Sequence, residues 1–235
     1  MGFVGTATYA VLPSLATALR DELPMIEPDL RGEMLTPDLI AGLRDRSLDL
    51  AFIRPPVGDP DLDITILRRE PLLAVLPDTH VLAGDAEVNL AALRDEPFIS
   101  YPSHQRSVMY AKVLDSCHRA GFRPQRIQQV AETSTLVASV AAGLGLALVP
   151  EAVQALRISG ATYRPLVQQD VVELAVATRA GDDAPPLRRV LDMLPRLLAG
   201  TTDELPDSPT VLLGRGAGPP ARPGSTGDCA AAFPR

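Results

Sequence analysis

Cysteine and histidine are scarce in this chain of 235 residues, which holds two of the first and three of the second. Cys117 falls in a helical pattern and Cys229 in a stretch of different composition, so a disulfide framework is not expected and reduced thiols are. No close Cys/His pairs exist to hold a structural zinc, and no metal or cofactor is expected. No apolar run approaches the roughly 18 residues that a membrane span needs. The N-terminal stretch MGFVGTATYAVLPSL has no basic n-region, so it does not read as a signal peptide. Basic residues are scattered and the net charge is −7, so nothing forms an electrostatic footprint for nucleic acid. Motifs of catalysis are missing too: there is no nucleophile motif, phosphate loop or acid–base constellation with a sequence signature. A non-enzymatic protein without membrane or direct DNA partners, cytoplasmic in location, is the expectation.

What is present is alternation of short apolar runs with helical periodicities. GFVGT reads as a buried strand running into a helix with Leu12, Leu15, Ala16, Leu19 and Leu23 on one face. Pro13 fits near the start of that helix and Pro24 closes it. DLRGEM reads as a strand, Thr36-Pro37-Asp38 as a helix start with Thr36 as N-cap, and DLAFIR as a third strand. This is βαβαβ with short connections, the pattern of a parallel sheet covered by helices. ITILRREP and LLAVLP read as two consecutive strands, followed by a polar excursion. PFISY, a helix over 107–120 stopped by Gly121, RIQQVAE, a helix capped by Thr133, Ser134 or Thr135, and LALVP form a second βαβαβ unit. TYRPL, VVELAVATR and a helix over 187–198 complete the pattern. The fold class is therefore α/β, with two Rossmann-like lobes: residues 1–70 and 162–200 form lobe I, and 71–161, inserted in it, form lobe II. The chain is expected to cross between lobes near Arg69–Pro71 and again near Ala161–Pro165. In 201–235, proline and glycine make up 11 of 35 residues, which reads as a disordered extension.

Three strings, LDLAFIRPP, LLAVLPDTHVLAG and VAAGLGLALVP, together resemble the effector-binding domain of LysR-type transcription regulators over residues 1–199. GFVGT, EMLT, AFIR, YPS and QVAET are similar to the subgroup that senses compounds of aromatic degradation, such as muconate or benzoate. The resemblance implies the periplasmic-binding-protein type II architecture, a ligand cleft between the lobes, and a small organic acid as effector. It implies a homodimer, and allows a tetramer in the full-length regulator. It also implies a winged helix-turn-helix and linker helix ahead of residue 1, so this chain alone is expected to bind no DNA. A solute-binding protein of a transport system shares the architecture and is the rival reading; it would need a secretion signal.

The resemblance and the chemistry of helix starts together mark the ligand residues. Thr6 stands at a strand-to-helix turn beside Gly5, and its hydroxyl suits either a ligand carboxylate or simple capping. Thr36 suits capping, ligand contact or both. Ser103, His104, Gln105 and Ser107 precede the 107–120 helix, where free amides could form an opposing anion nest. His104 suits a solvated loop equally well. Met109 reads as an apolar wall or as ordinary helix packing. Arg54 ends its strand on the ligand side and suits either a carboxylate or an ion pair with a neighbouring acid. Arg68 matches a residue near a second aromatic-acid pocket of some family members. Glu132 is expected to pair with one of these arginines, and Thr133, after it, to reach the cleft.

Overall fold

The computed structural model describes residues 1–103 and 107–198. The expected disorder of 201–235 and the expected roles of His104 and Gln105 lie outside the described residues. In chain order the elements are β1 (Gly2–Val4), α1 (Gly5–Glu22), β2 (Arg31–Met34), α2 (Thr36–Arg44), β3 (Ala51–Ile53), β4 (Leu62–Pro77), β5 (Phe98–Ser100) and α3 (Val108–Arg119). There follow β6 (Ile127–Gln129), α4 (Thr133–Ala141), β7 (Ala147–Pro150), β8 (Ala161–Pro165), β9 (Val171–Arg179) and α5 (Pro185–Leu198).

Strands β2, β1 and β3 pair in parallel, as a βαβαβ unit requires. The sheet continues through antiparallel β9 to β4, and β4 pairs further with β7 and β8. Phe3 of β1 stacks on Phe52 of β3 with ring centroids 4.9 Å apart. β5 and β6 form a separate parallel pair.

Apolar side chains collect into two cores. One holds β1, β3, α1, α2 and α5 together, with Leu15, Leu39, Leu43 and Phe52 among its buried members. The other gathers Phe98, Val113, Leu136, Val137 and Leu148 from the inserted elements. They define lobe I and lobe II.

The two runs ITILRREP and LLAVLP are a single strand, β4, with irregular register between Ile66 and Arg68. Its first half belongs to the lobe I core up to Leu67, and its second half to the lobe II core from Leu72. Pro71 does not end it, because proline's fixed φ suits extended backbone. The return crossing falls in β9, between Val172 of the lobe II core and Leu174 of the lobe I core. β8, where the expected crossing lies, instead pairs with the lobe II half of β4, Tyr163 opposite Val75. Two neighbouring strands of one continuous sheet thus carry both crossings.

Helix boundaries follow local chemistry except at the cleft. The Ser107 hydroxyl caps α3, accepting from the Tyr110 N–H at 3.3 Å. Gly121, with φ of +83°, ends the same helix, and the Phe122 N–H returns to the Cys117 carbonyl at 3.0 Å. By contrast α1 begins at Gly5, so Pro13 lies inside the helix rather than near its start. α2 begins at Thr36 itself, with Leu35 in the cap position, and the Thr36 side chain makes no capping bond. α4 likewise begins at Thr133, after an uncapped Glu132.

Candidate functional site

The starts of α1, α2 and α3 converge where the lobes meet. Thr6, Thr36, Arg54, Ser107 and Met109 line one cavity between the lobes, with Gly5, Leu35 and Tyr101. Five residues expected at the site from sequence are thereby brought together. The free space left there is about 10 Å³, about what one water molecule occupies.

Arg54 is fully buried. Its guanidinium does not point at open space: Nε donates to Thr6 Oγ1 at 3.1 Å, Nη1 to the Glu173 carbonyl at 3.1 Å, and Nη2 pairs with the Glu70 carboxylate. Its backbone N–H donates to Thr36 Oγ1 at 3.3 Å. The ion-pair alternative for Arg54 is therefore the one the structure realises. Glu70 is also buried and receives Arg68 Nε at 2.7 Å on its other oxygen. The result is a buried row, Thr6–Arg54–Glu70–Arg68, running from the cleft to a second, open groove. That groove, about 1060 Å³, is lined in part by Arg68, Arg69, Ala10, Ser14 and Tyr163. A charge taken out of water persists only when paired and hydrogen-bonded. Here two cations share one anion, and Arg54 Nε and Nη1 find a hydroxyl and a carbonyl.

Glu132 is not the arginines' partner; its carboxylate receives the Thr135 hydroxyl at 3.3 Å. The acid that pairs with Arg54 and Arg68 is Glu70, two residues beyond Arg68 and so on the same face of β4. Ser103 stands apart from the cavity, its N–H and hydroxyl both engaged by the Gln129 amide at 3.1 and 3.0 Å. Thr133 is fully buried behind the cavity wall, and its hydroxyl bonds Tyr101 Oη at 2.9 Å.

Tyr101 and Glu33 are absent from the sequence expectations. Burial pushes the Tyr101 phenol well above the usual range, so it stays a neutral donor or acceptor. Glu33 extends from β2 of lobe I to the first residue of α4 in lobe II, accepting from the Thr133 N–H at 2.9 Å. Both lie within strings that carry the family resemblance, YPS and EMLT, but no periodicity or spacing marks either one.

The cleft hydroxyls share one feature. Thr6 Oγ1, Thr36 Oγ1 and Ser107 Oγ each accept a hydrogen bond from a protein N–H. A hydroxyl carries one proton besides its acceptor lone pairs. Each oxygen is thus held by a protein donor, and among the described residues none of the three hydroxyls donates a hydrogen bond of its own.

Residues 1–199 match the family model of the LysR substrate binding domain. The HTH-type transcriptional regulator CatR of Pseudomonas putida is 33% identical over 195 residues, covering 83% of this chain and 66% of its own length. The HTH-type transcriptional regulator AlsR of Bacillus subtilis is 29% identical over 192 residues, 81% of this chain and 63% of its own. Among solved structures, the BenM effector binding domain with its effector benzoate superposes with a TM-score of 0.74 at 27% identity, covering 84% of this chain and 90% of that one. The chain spans about three-fifths of the length of the first curated relatives it matches. These relatives are named transcriptional regulators and not enzymes. Among the described residues no helix is long and apolar enough to cross a membrane. With the periplasmic-binding-protein type II fold of its structural neighbours and an interlobe cavity walled by helix starts, the chain belongs to the LysR substrate-binding domain family.

Proposed function

We propose that this domain senses a small organic acid, aromatic or unsaturated, held between Thr6, Thr36 and Ser107. The observation that carries this reading is the set of three hydroxyls, each fixed as an acceptor by the protein and each with a proton left for the ligand. A carboxylate is all acceptor and matches such a set; a cation would leave those protons unused and meet the positive ends of the α2 and α3 dipoles. Met109, Leu35 and the ring of Tyr101 supply the apolar wall for a ring or conjugated chain. The likeness to BenM, whose effector binding domain is known with benzoate, favours an aromatic acid.

A space of about 10 Å³ does not admit a ring, so the effector enters as the lobes part or the start of α3 shifts. It then stabilises whichever arrangement it binds better, in proportion to its differential affinity. Arg68, at the far end of the buried row, faces the second groove, where a further aromatic acid would sense the same Glu70. In the intact regulator the change would reorient subunits. The pairing we propose is an isologous dimer through α1 and α3, which sedimentation at tens of micromolar tests. The chain alone, at net charge −7, is proposed to bind no promoter DNA specifically.

Calorimetry with benzoate, with muconate and with uncharged and cationic analogues tests the ligand class. Saturable binding of either acid, and of neither neutral nor cationic analogue, is expected. Binding confined to cations or sugars would overturn the reading and favour the solute-binding alternative.

A further inference from the structure

The described residues contain one side-chain carboxylate that reaches across the cleft to a helix start. Glu33 of β2 accepts from the Thr133 backbone N–H at 2.9 Å through one oxygen, and from the Tyr9 hydroxyl at 2.5 Å through the other. Thr133 is the first residue of α4, and the first N–H groups of a helix have no partner within it. Glu33 takes that role from the opposite lobe. Its backbone sits at φ +55°, in the left-handed region that non-glycine residues rarely adopt. The surrounding structure holds it there, as it holds strained residues at functional positions. Room for the contact comes from Gly5, where a Cβ would lie 2.5 Å from Glu33 Oε2 and 2.8 Å from Thr133 Oγ1. On the far side, the Thr133 hydroxyl is bonded to Tyr101, which lines the cavity.

We propose that Glu33 is an interlobe latch and a positioning residue of the sensor: it carries the closed arrangement of the lobes from β2 and α1 of lobe I, through Thr133, to Tyr101 at the cleft. The inference rests on reading this cleft as the effector site. A carboxylate from the protein itself also fills the anion-attracting start of α4. An effector's acid group is thereby directed to the other helix starts, beside Thr6, Thr36 and Ser107. Parting of the lobes breaks the Glu33–Thr133 bond, so ligand entry by that route and latch release are one event.

The test uses the full chain without ligand, so its failure is distinct from a failure to find an acid effector. Glu33→Gly removes the carboxylate and relieves the positive φ, so the fold is not weakened by the backbone change. Glu33→Gln keeps an acceptor but not the charge. Amide hydrogen exchange and small-angle scattering are read together. In Glu33→Gly the Thr133 amide should exchange at least about tenfold faster, as expected on losing a bond to a charged acceptor. Glu33→Gln should show a smaller increase. Amides of the strand centres, Val75 and Leu148, should keep their wild-type rates, and the radius of gyration should rise. An unchanged Thr133 rate or an unchanged radius of gyration would overturn the latch. So would a uniform acceleration across both lobes, which would make Glu33 a contributor to global stability only.

Discussion

Arg54 Nε donates to Thr6 Oγ1 over 3.1 Å, and that bond, with the one from the Arg54 N–H to Thr36 Oγ1, joins a buried ion-pair row to the cavity between the lobes. Glu70 is a carboxylate shared by Arg54 and Arg68. Glu70→Ala would remove the carboxylate paired with the fully buried Arg54 guanidinium. Removing one partner of a buried pair costs about 3–5 kcal/mol, so the urea midpoint should fall sharply at unchanged m-value. A midpoint within error of wild type would mean that water reaches the row.

Thr6→Val and Thr36→Val each remove one donor from the cleft while keeping the side-chain shape. Each also deprives Arg54 of an acceptor, at Nε and at the backbone N–H respectively. Loss of a hydrogen bond to a charged ligand costs about 1.5–3 kcal/mol, roughly tenfold to a hundredfold in affinity. Calorimetry with benzoate should show this for both variants. If both bind as tightly as wild type, the acid group lies elsewhere.

Gly5→Ala places a methyl group where Glu33 and Thr133 meet. Overpacking of this kind costs about 1–3 kcal/mol. The thermal midpoint should drop, and the Thr133 amide should lose protection beyond that global change, because the methyl group displaces the carboxylate. A melting curve coincident with wild type would show that Glu33 can move aside freely.

Alkali should destabilise the fold partly through Tyr9. Burial first, and then its bond to Glu33, push the phenol up to about 12, whereas an unfolded tyrosine ionises near 10. The native state therefore keeps a proton that the unfolded chain gives up. The contribution is complete below about pH 10 and is lost as pH rises to about 12. Tyr163 shifts the same way, so the comparison that isolates Tyr9 is Tyr9→Phe. Its stability should fall less steeply than wild type over that window, and equal slopes would refute the assignment.

Cys117 is fully buried, and burial followed by the charge of Asp170 pushes its thiol up to about 12. The thiolate is the reactive form. Iodoacetamide at pH 8 should leave Cys117 unmodified in the native protein and label it in urea, as mass spectrometry of the peptides would show. Rapid native labelling would place the thiol in contact with solvent.

The order of most strands and helices could be read from sequence because it rests on local rules, whereas a cleft shared by Thr6, Thr36, Ser107 and Met109 is implied by the family resemblance. The periodicity of Leu39, Ile40 and Leu43 declares a helix face, Ser107 caps its own helix, and Gly121 stops it. Motif strings that resemble the LysR family supplied the lobe arrangement, which periodicity alone does not contain. Three features depend on contacts between residues far apart in the chain, and only the tertiary structure decided them. β4 runs unbroken past Pro71 because strands from both lobes pair with it. Thr36 and Thr133 start their helices without capping them, because Arg54 and Tyr101 engage their hydroxyls. Glu33 and Thr133 meet across 100 positions of sequence. A spacing rule reaches only the few residues that share a helix turn or a strand face; which acid faces which amide across a cleft is settled when the two cores pack and the sheet joins them.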